Sequence, residues 1–277
     1  AHALDSAFGI APWLTGVVLC IATGFVIVGG IKSIARVTSA IVPFMIILYL
    51  IGAVISLIIH LDKIPHALYL VFYHAFNPTA ATGGFAGAMI QQTLRMGVAR
   101  GIFSNESGLG SSPIAAAAAK TANPVRQALV SMSQTFIDTL VVCTFTGLVI
   151  ISSGLWSSGQ TGAALSALAF EKGVPNNLGA DMVSVCLAFF AYSTLLGWSY
   201  YGEKCIEFIF REKAVVPYRM VFTAVVLVGA VIKLDIVWTF ADIMNGLMAF
   251  PNLVGLLMLS RVVVEETKLY LSAEIGR

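Results

Sequence analysis

The sequence runs to 277 residues, 58% of them hydrophobic and 11% charged, with a formal charge of +2 and a mean hydropathy of +0.90. So little polar material cannot cover a water-soluble protein of this size, whereas runs of about 18 or more apolar residues can cross a bilayer core. With no Lys/Arg run and no basic stripe carrying aromatics, nucleic acid is excluded as a partner and the lipid bilayer is the expected surrounding.

The chain opens on Ala1 rather than Met, and its first apolar run lacks the basic flank and small-residue cleavage site of a signal peptide. A fragment of a longer protein is expected. Seven spans are expected from the apolar runs, at 12–31, 39–60, 94–119, 126–152, 181–208, 217–233 and 236–260. Pro12, Pro124 and Pro217 sit at or just before starts, where a missing N–H costs nothing, while Pro43, Pro113 and Pro251 are expected to kink helix interiors. Cys20, Cys143, Cys186 and Cys205 lie in apolar stretches without C-x-x-C spacing and read as buried hydrophobes, not as a disulfide or zinc framework.

Loop charge sets the orientation. Eleven Lys and Arg (Lys32, Arg36, Lys120, Arg126, Lys204, Arg211, Lys213, Arg219, Arg261, Lys268, Arg277) fall on one side of the seven crossings and three (Lys63, Lys172, Lys233) on the other. The richer side is cytoplasmic, which places the first residue outside and the C-terminus inside. Two outer loops are long. The stretch 61–93 carries His66, His74, Tyr69, Phe72, Tyr73 and Phe76 at spacings suggesting an interfacial helix, and then Asn77-Pro78 and Gly83-Gly84. His60, His66 and His74 do not share a helical face, so solvated or interfacial histidine is preferred to a metal site. The second loop, 153–180, holds an apolar stretch at 163–170 that could pack over an outer vestibule.

The third predicted span is the least helix-compatible part of the chain. Gly97, Gly101, Gly108, Gly110, Ser104, Asn105, Ser107 and Pro113 fall within it, so the helix is expected to break over 101–110. Counting back from Lys120 at the helical rise puts 104–110 near mid-membrane, and irregular backbone is tolerated there only when buried in protein or lining a cavity. Exposed N–H groups near 107–111 would suit an anion such as a carboxylate, and carbonyls near 101–103 a cation. Glu106 at that depth needs a partner, with Arg100 a candidate beside groups outside this chain. The bland alternative is that small residues merely let helices pack closely, and it is preferred for Ala115 to Ala119.

Three further polar clusters lie within spans. Asp138 has Gln134 one turn before it, Asp242 has Asn245, and Ser193-Thr194 precedes Trp198 by one turn. Hydroxyl oxygens suit sodium and a Trp can wall a small apolar group; helical back-bonding is the alternative for both hydroxyls.

The string Gly97-Val98-Ala99-Arg100-Gly101-Ile102-Phe103-Ser104-Asn105-Glu106-Ser107-Gly108-Leu109-Gly110-Ser111-Ser112-Pro113-Ile114-Ala115 resembles the signature of the alanine or glycine:cation symporter family. Ser193-Thr194, the stretch Gly197 to Glu203 and the stretch Asn245 to Asn252 resemble two further stretches of that family. The resemblance implies an all-α polytopic membrane protein with a partial LeuT-like fold of two inverted five-helix repeats, placed in the plasma membrane. Residues 1–60 would be the last two helices of the first repeat, 61–93 an extracellular loop, 94–262 the second repeat and 263–277 a cytoplasmic tail. It also implies sodium-coupled uptake of alanine or glycine, with no cofactor beyond the sodium ion. Gly101, Ile102, Phe103, Ser104, Asn105, Glu106 and Trp198 would border the substrate, and Ser193 and Thr194 would ligate sodium.

The rival is a related transporter with another amino acid or proton coupling, since the carboxyl groups of Glu106 and Asp138 could carry a proton. An intramembrane hydrolase built on Ser107 lacks a base at comparable depth and a G-x-S-x-G elbow, so no enzyme is expected. A channel would need a polar lining through several spans.

Overall fold

Helices account for nearly every ordered stretch of the computed structural model, which describes residues 1–76, 86–175, 178–232 and 234–275. In chain order these are α1 (His2–Phe8), α2 (Pro12–Val28), α3 (Gly30–Ile59), α4 (Ile64–Phe76), α5 (Ala86–Asn105), α6 (Ser112–Ala116), α7 (Pro124–Thr135), α8 (Thr144–Ser153), α9 (Gly162–Gly173), α10 (Leu178–Phe210), α11 (Val215–Val231) and α12 (Leu234–Ile275). The segment Phe136–Cys143 between α7 and α8 is a π-helix. Asn77, Pro78, Gly83, Gly84, Lys233 and Arg277, singled out in the sequence, lie outside the described residues.

Five helical stretches among the described residues are long and apolar enough to cross a membrane: Gly30–Ile59, Pro124–Ser153, Leu178–Phe210, Glu212–Val231 and Val237–Ala273. Only 33% of the apolar window is buried in the first and none in the last, so apolar side chains face outward as lipid requires. The protein is a multi-pass membrane protein. Two of the seven expected spans fall short of that criterion: α2 has 17 residues and the third predicted span is interrupted. The remaining boundaries also move. The helix expected from residue 39 begins at Gly30, and the last helix continues past 260 to Ile275. Pro113 starts α6 instead of kinking a helix interior; Pro43 and Pro251 are interior.

The chain divides into two compact units. The first comprises Ala1–Pro78 and Val142–Ile232. Its core is Tyr49, Ala53 and Leu57 of α3, Val149 of α8, Ala169 and Phe170 of α9, and Val183 and Cys186 of α10. Phe170, from the loop expected to cover a vestibule, is fully buried with its ring 5.0 Å from Tyr49. Tyr49 and Thr146 share a 2.7 Å hydrogen bond, satisfying two hydroxyls inside an apolar cluster. Close approach depends on Gly16, where a Cβ would come within 2.8 Å of Ala230 Cβ, so α2 and α11 pack backbone against backbone. Arg219 of α11 ties in both α10 and α2: its Nε and Nη2 donate to Glu203 of α10 at 2.7 and 2.9 Å while Nη1 donates to the Val28 carbonyl of α2 at 3.2 Å.

The second unit comprises Thr79–Val141 and Lys233–Arg277 and holds α5, α6, α7 and α12. It contains the interrupted helix.

Candidate functional site

Helix α5 ends at Asn105, and the break after it is shorter and later than the 101–110 expected. Gly101 to Asn105 stay helical because backbone and side chain satisfy the carbonyls that the break would otherwise orphan. Gly101 O accepts from Asn105 Nδ2 at 2.9 Å, Ile102 O from Ser107 N at 3.1 Å and Phe103 O from Glu106 N at 3.3 Å. These carbonyls, expected to be open to a cation, are therefore engaged. The chain then turns through three left-handed residues, Glu106 (φ 51°), Gly108 (φ 75°) and Gly110 (φ 82°). Two glycines take this conformation freely; Glu106 takes it at a cost and is held by Ser111, whose Oγ donates to Glu106 Oε2 at 2.9 Å. Ser111, 1% exposed, is thus the partner of Glu106, and Arg100 is not. Helix α6 has five residues, too few to aim a useful dipole at a carboxylate, so the anion site expected at its start is not supported.

Two hydrogen bonds tie the end of α5 to the π-helical segment. Ser104 Oγ donates to Asp138 Oδ2 at 2.6 Å and Thr139 Oγ1 donates to Asn105 Oδ1 at 2.9 Å. Consecutive residues on each element meet consecutive residues on the other. A π turn carries one extra residue, which rotates Asp138 and Thr139 out of α-helical register and onto this face. Asp138 is thereby engaged with Ser104 and not with Gln134 as the one-turn spacing suggested. The four residues bring carboxylate, amide and hydroxyl oxygens together, hard donors of the type an alkali cation accepts. No cluster of three His, Cys, Asp or Glu suited to a metal occurs among the described residues.

Helix α12 holds the other side of the break. Asn252 Nδ2 donates to the Gly108 carbonyl at 3.0 Å, and a Cβ on Gly110 would lie 2.9 Å from Asn252 Oδ1. Glycine at 110 is required twice, by φ and by space. Asp242 accepts from Arg100 at 2.7 Å to both oxygens, a pairing the one-turn spacing of Asp242 and Asn245 did not suggest. A cavity of about 660 Å³ opens beneath the break, lined by Asn105, Glu106 and Ser107 and by a polar stripe on α7 of Gln127, Ser131 and Gln134. Asn123 begins that helix, its Oδ1 accepting from Val125 N and Arg126 N, with Pro124 next in the chain.

A family model described as the sodium:alanine symporter family matches residues 1–275. The chain belongs to that family. It is 51% identical over 274 residues to the sodium/alanine symporter AgcS of Methanococcus maripaludis, covering 98% of this chain and 59% of that protein. It is 46% identical over 270 residues to an uncharacterized transporter of Haemophilus influenzae, covering 97% and 59%. To a Bacillus subtilis protein named "Probable sodium/glutamine symporter GlnT" it is 36% identical over 270 residues, covering 97% and 55%. The chain thus spans a little under three fifths of the length of these curated relatives.

The stretch resembling the symporter signature, Gly97 to Ala115, is in the second unit and includes Gly101 to Glu106, with Ile102 exposed and Phe103 half-buried. Ser193, Thr194 and Trp198, the other residues that the symporter resemblance singles out, lie on α10 in the first unit. Ser193 Oγ bonds back to the Phe190 carbonyl at 3.0 Å, Thr194 is exposed, and Trp198 packs edge-on against Tyr201 with ring centroids 5.7 Å apart. The π segment carried no sequence signal beyond isolated polar residues in an apolar run; Asn252 fell at the end of a family-like stretch, Asn245 to Asn252, but its clasp on Gly108 was not legible there.

Proposed function

We propose that this chain is part of a sodium-coupled symporter for a small neutral amino acid, alanine or glycine, and that the break after α5 is part of the substrate site. The observation carrying this is the geometry of the break: three left-handed residues inside an apolar helical unit, clamped by Asn252 on one side and by Asp138 and Thr139 on the other. Backbone so irregular in a membrane belongs beside a cavity, and one lies beneath it. Membership of the symporter family supports the same reading.

In this proposal Gly101, Ile102, Phe103, Ser104, Asn105 and Glu106 border the substrate, Trp198 walls its side chain, and Ser193 and Thr194 ligate sodium. The fold is the partial LeuT-like one, with α2, the α5–α6 pair and the five long apolar stretches as its spans. Residues 1–60, 94–262 and 263–277 divide as two helices of one repeat, the five of the next and a cytoplasmic tail. The protein sits in the plasma membrane with the C-terminus inside and transports rather than catalyses.

The test is sodium-driven uptake of labelled alanine by the full-length protein in proteoliposomes. Uptake should track the sodium gradient with the pH gradient collapsed, and replacing Ser193 and Thr194 by Ala should abolish sodium dependence. Undiminished dependence would remove those two from the ion site. Uptake that tracks pH instead would favour proton coupling through Asp138 or Glu106, and a preference for glutamine would move the substrate toward the one named for the Bacillus relative.

A further inference from the structure

Four side chains on two helices of the second unit form a continuous row beside the break. Phe103 of α5 meets Trp238 of α12 edge to face, with ring centroids 5.9 Å apart and planes at 72°. The Arg100 guanidinium carbon lies 4.4 Å from the Trp238 ring centroid on the next side. Asp242 ends the row, accepting from Arg100 at 2.7 Å on each oxygen. Arg100 and Phe103 are one turn apart on α5, and Trp238 and Asp242 one turn apart on α12, so the row is two helical neighbours interleaved with two others.

The manner of the ion pair matters. A guanidinium paired for charge alone forks two nitrogens onto two oxygens. Here one nitrogen serves both oxygens, and Nη1 is buried with no hydrogen-bond partner among the described residues. The guanidinium carbon is held over the face of the indole, where a planar cation is attracted by its shape as well as its charge. Both charged side chains are 36% exposed, so Asp242 anchors the cation without locking it into a buried salt bridge.

We propose that Arg100, Trp238 and Asp242 are positioning residues that set the size of side chain the transporter accepts, by holding the Phe103 ring in place from behind. The proposal rests on the reading in which Phe103 forms part of the substrate wall. Phe103 is half-buried and its ring meets Trp238 edge to face, so removing the indole takes away one of the contacts that fix where the Phe103 ring lies. An apolar wall discriminates side chains differing by a methylene or two by about 10–200-fold, so its position governs selectivity and not turnover alone.

The experiment measures KM for sodium-driven uptake of alanine and of leucine by the full-length protein in proteoliposomes. Trp238→Ala is expected to shift the KM ratio toward leucine by about tenfold. Phe103→Ala should shift it the same way, and the double variant no further than the larger single one, because the two act as one wall. Trp238→Phe keeps a ring behind Phe103 and should restore the alanine preference; Arg100→Lys keeps the charge without the plane and should give an intermediate shift. A ratio unmoved by Trp238→Ala while Phe103→Ala moves it overturns the proposal and leaves Phe103 in the wall. A ratio moved by neither overturns both. Absence of sodium-driven uptake by the unaltered protein would sink the transport reading itself. If Trp238→Ala fails to assemble by size exclusion, Trp238→Leu and Arg100→Lys carry the same comparison, and an unmoved ratio in them overturns the proposal.

Discussion

Gly110 and Gly101 stand nine positions apart in a string of small residues, yet they have different tasks. Gly110 has a left-handed φ and Asn252 against its missing Cβ, while Gly101 is helical with nothing within 4 Å. Gly110→Ala should therefore cost about 1–2 kcal/mol from the backbone alone, with the clash against Asn252 added to it. Gly101→Ala should leave stability unchanged or raise it by about 0.5–1 kcal/mol, as alanine does in a helix interior. Thermal unfolding of the purified full-length protein separates the two; if Gly101→Ala also loses alanine uptake while keeping its stability, the residue borders the substrate. Glu203 offers a second contrast. It is 7% exposed and paired with Arg219 through two hydrogen bonds, so Glu203→Ala leaves a cation without its counter-charge and should cost about 3–5 kcal/mol.

Among the elements, the π segment decides how the break is held. Phe136 to Cys143 carry the extra residue that turns Asp138 and Thr139 toward Ser104 and Asn105. Deleting Leu140 would remove the extra residue and let the stretch relax to an ordinary α-helix, taking Asp138 and Thr139 off the face they share with Ser104 and Asn105. The deletion should abolish uptake, whereas Ser104→Ala, which loses the tie to Asp138, or Thr139→Val, which loses the tie to Asn105, should lower it only in part. Equal losses from all three would mean that the ties themselves, and not the register, carry the effect. The amphipathic start of α7 was legible only as scattered polar residues. Its stripe of Gln127, Ser131 and Gln134 makes sense once the cavity beneath the break is seen.

For the whole molecule, loop charge assigns the C-terminus to the cytoplasm, and labelling tests it. With the native cysteines replaced, Lys268→Cys in the full-length protein in intact cells should react with a membrane-permeant thiol reagent and not with an impermeant one. Labelling by the impermeant reagent would invert the topology. Composition determined the solvent of this protein, and glycine, serine and proline at residues 101 to 113 determined that a helix must break, because both depend on residue chemistry summed over a short window. Apolar length also marked five of the spans. Tertiary structure alone decided where the break falls and who holds it: Ser111 for Glu106, Asp138 for Ser104, Asp242 and Trp238 for Arg100. Apart from Ser111, five positions along the chain, those partners stand 34 to 142 residues away and depend on helix register, the π turn included. A one-residue change in register rotates a side chain by about 100°, and hydrophobic periodicity in a lipid-facing helix is too weak to fix that angle.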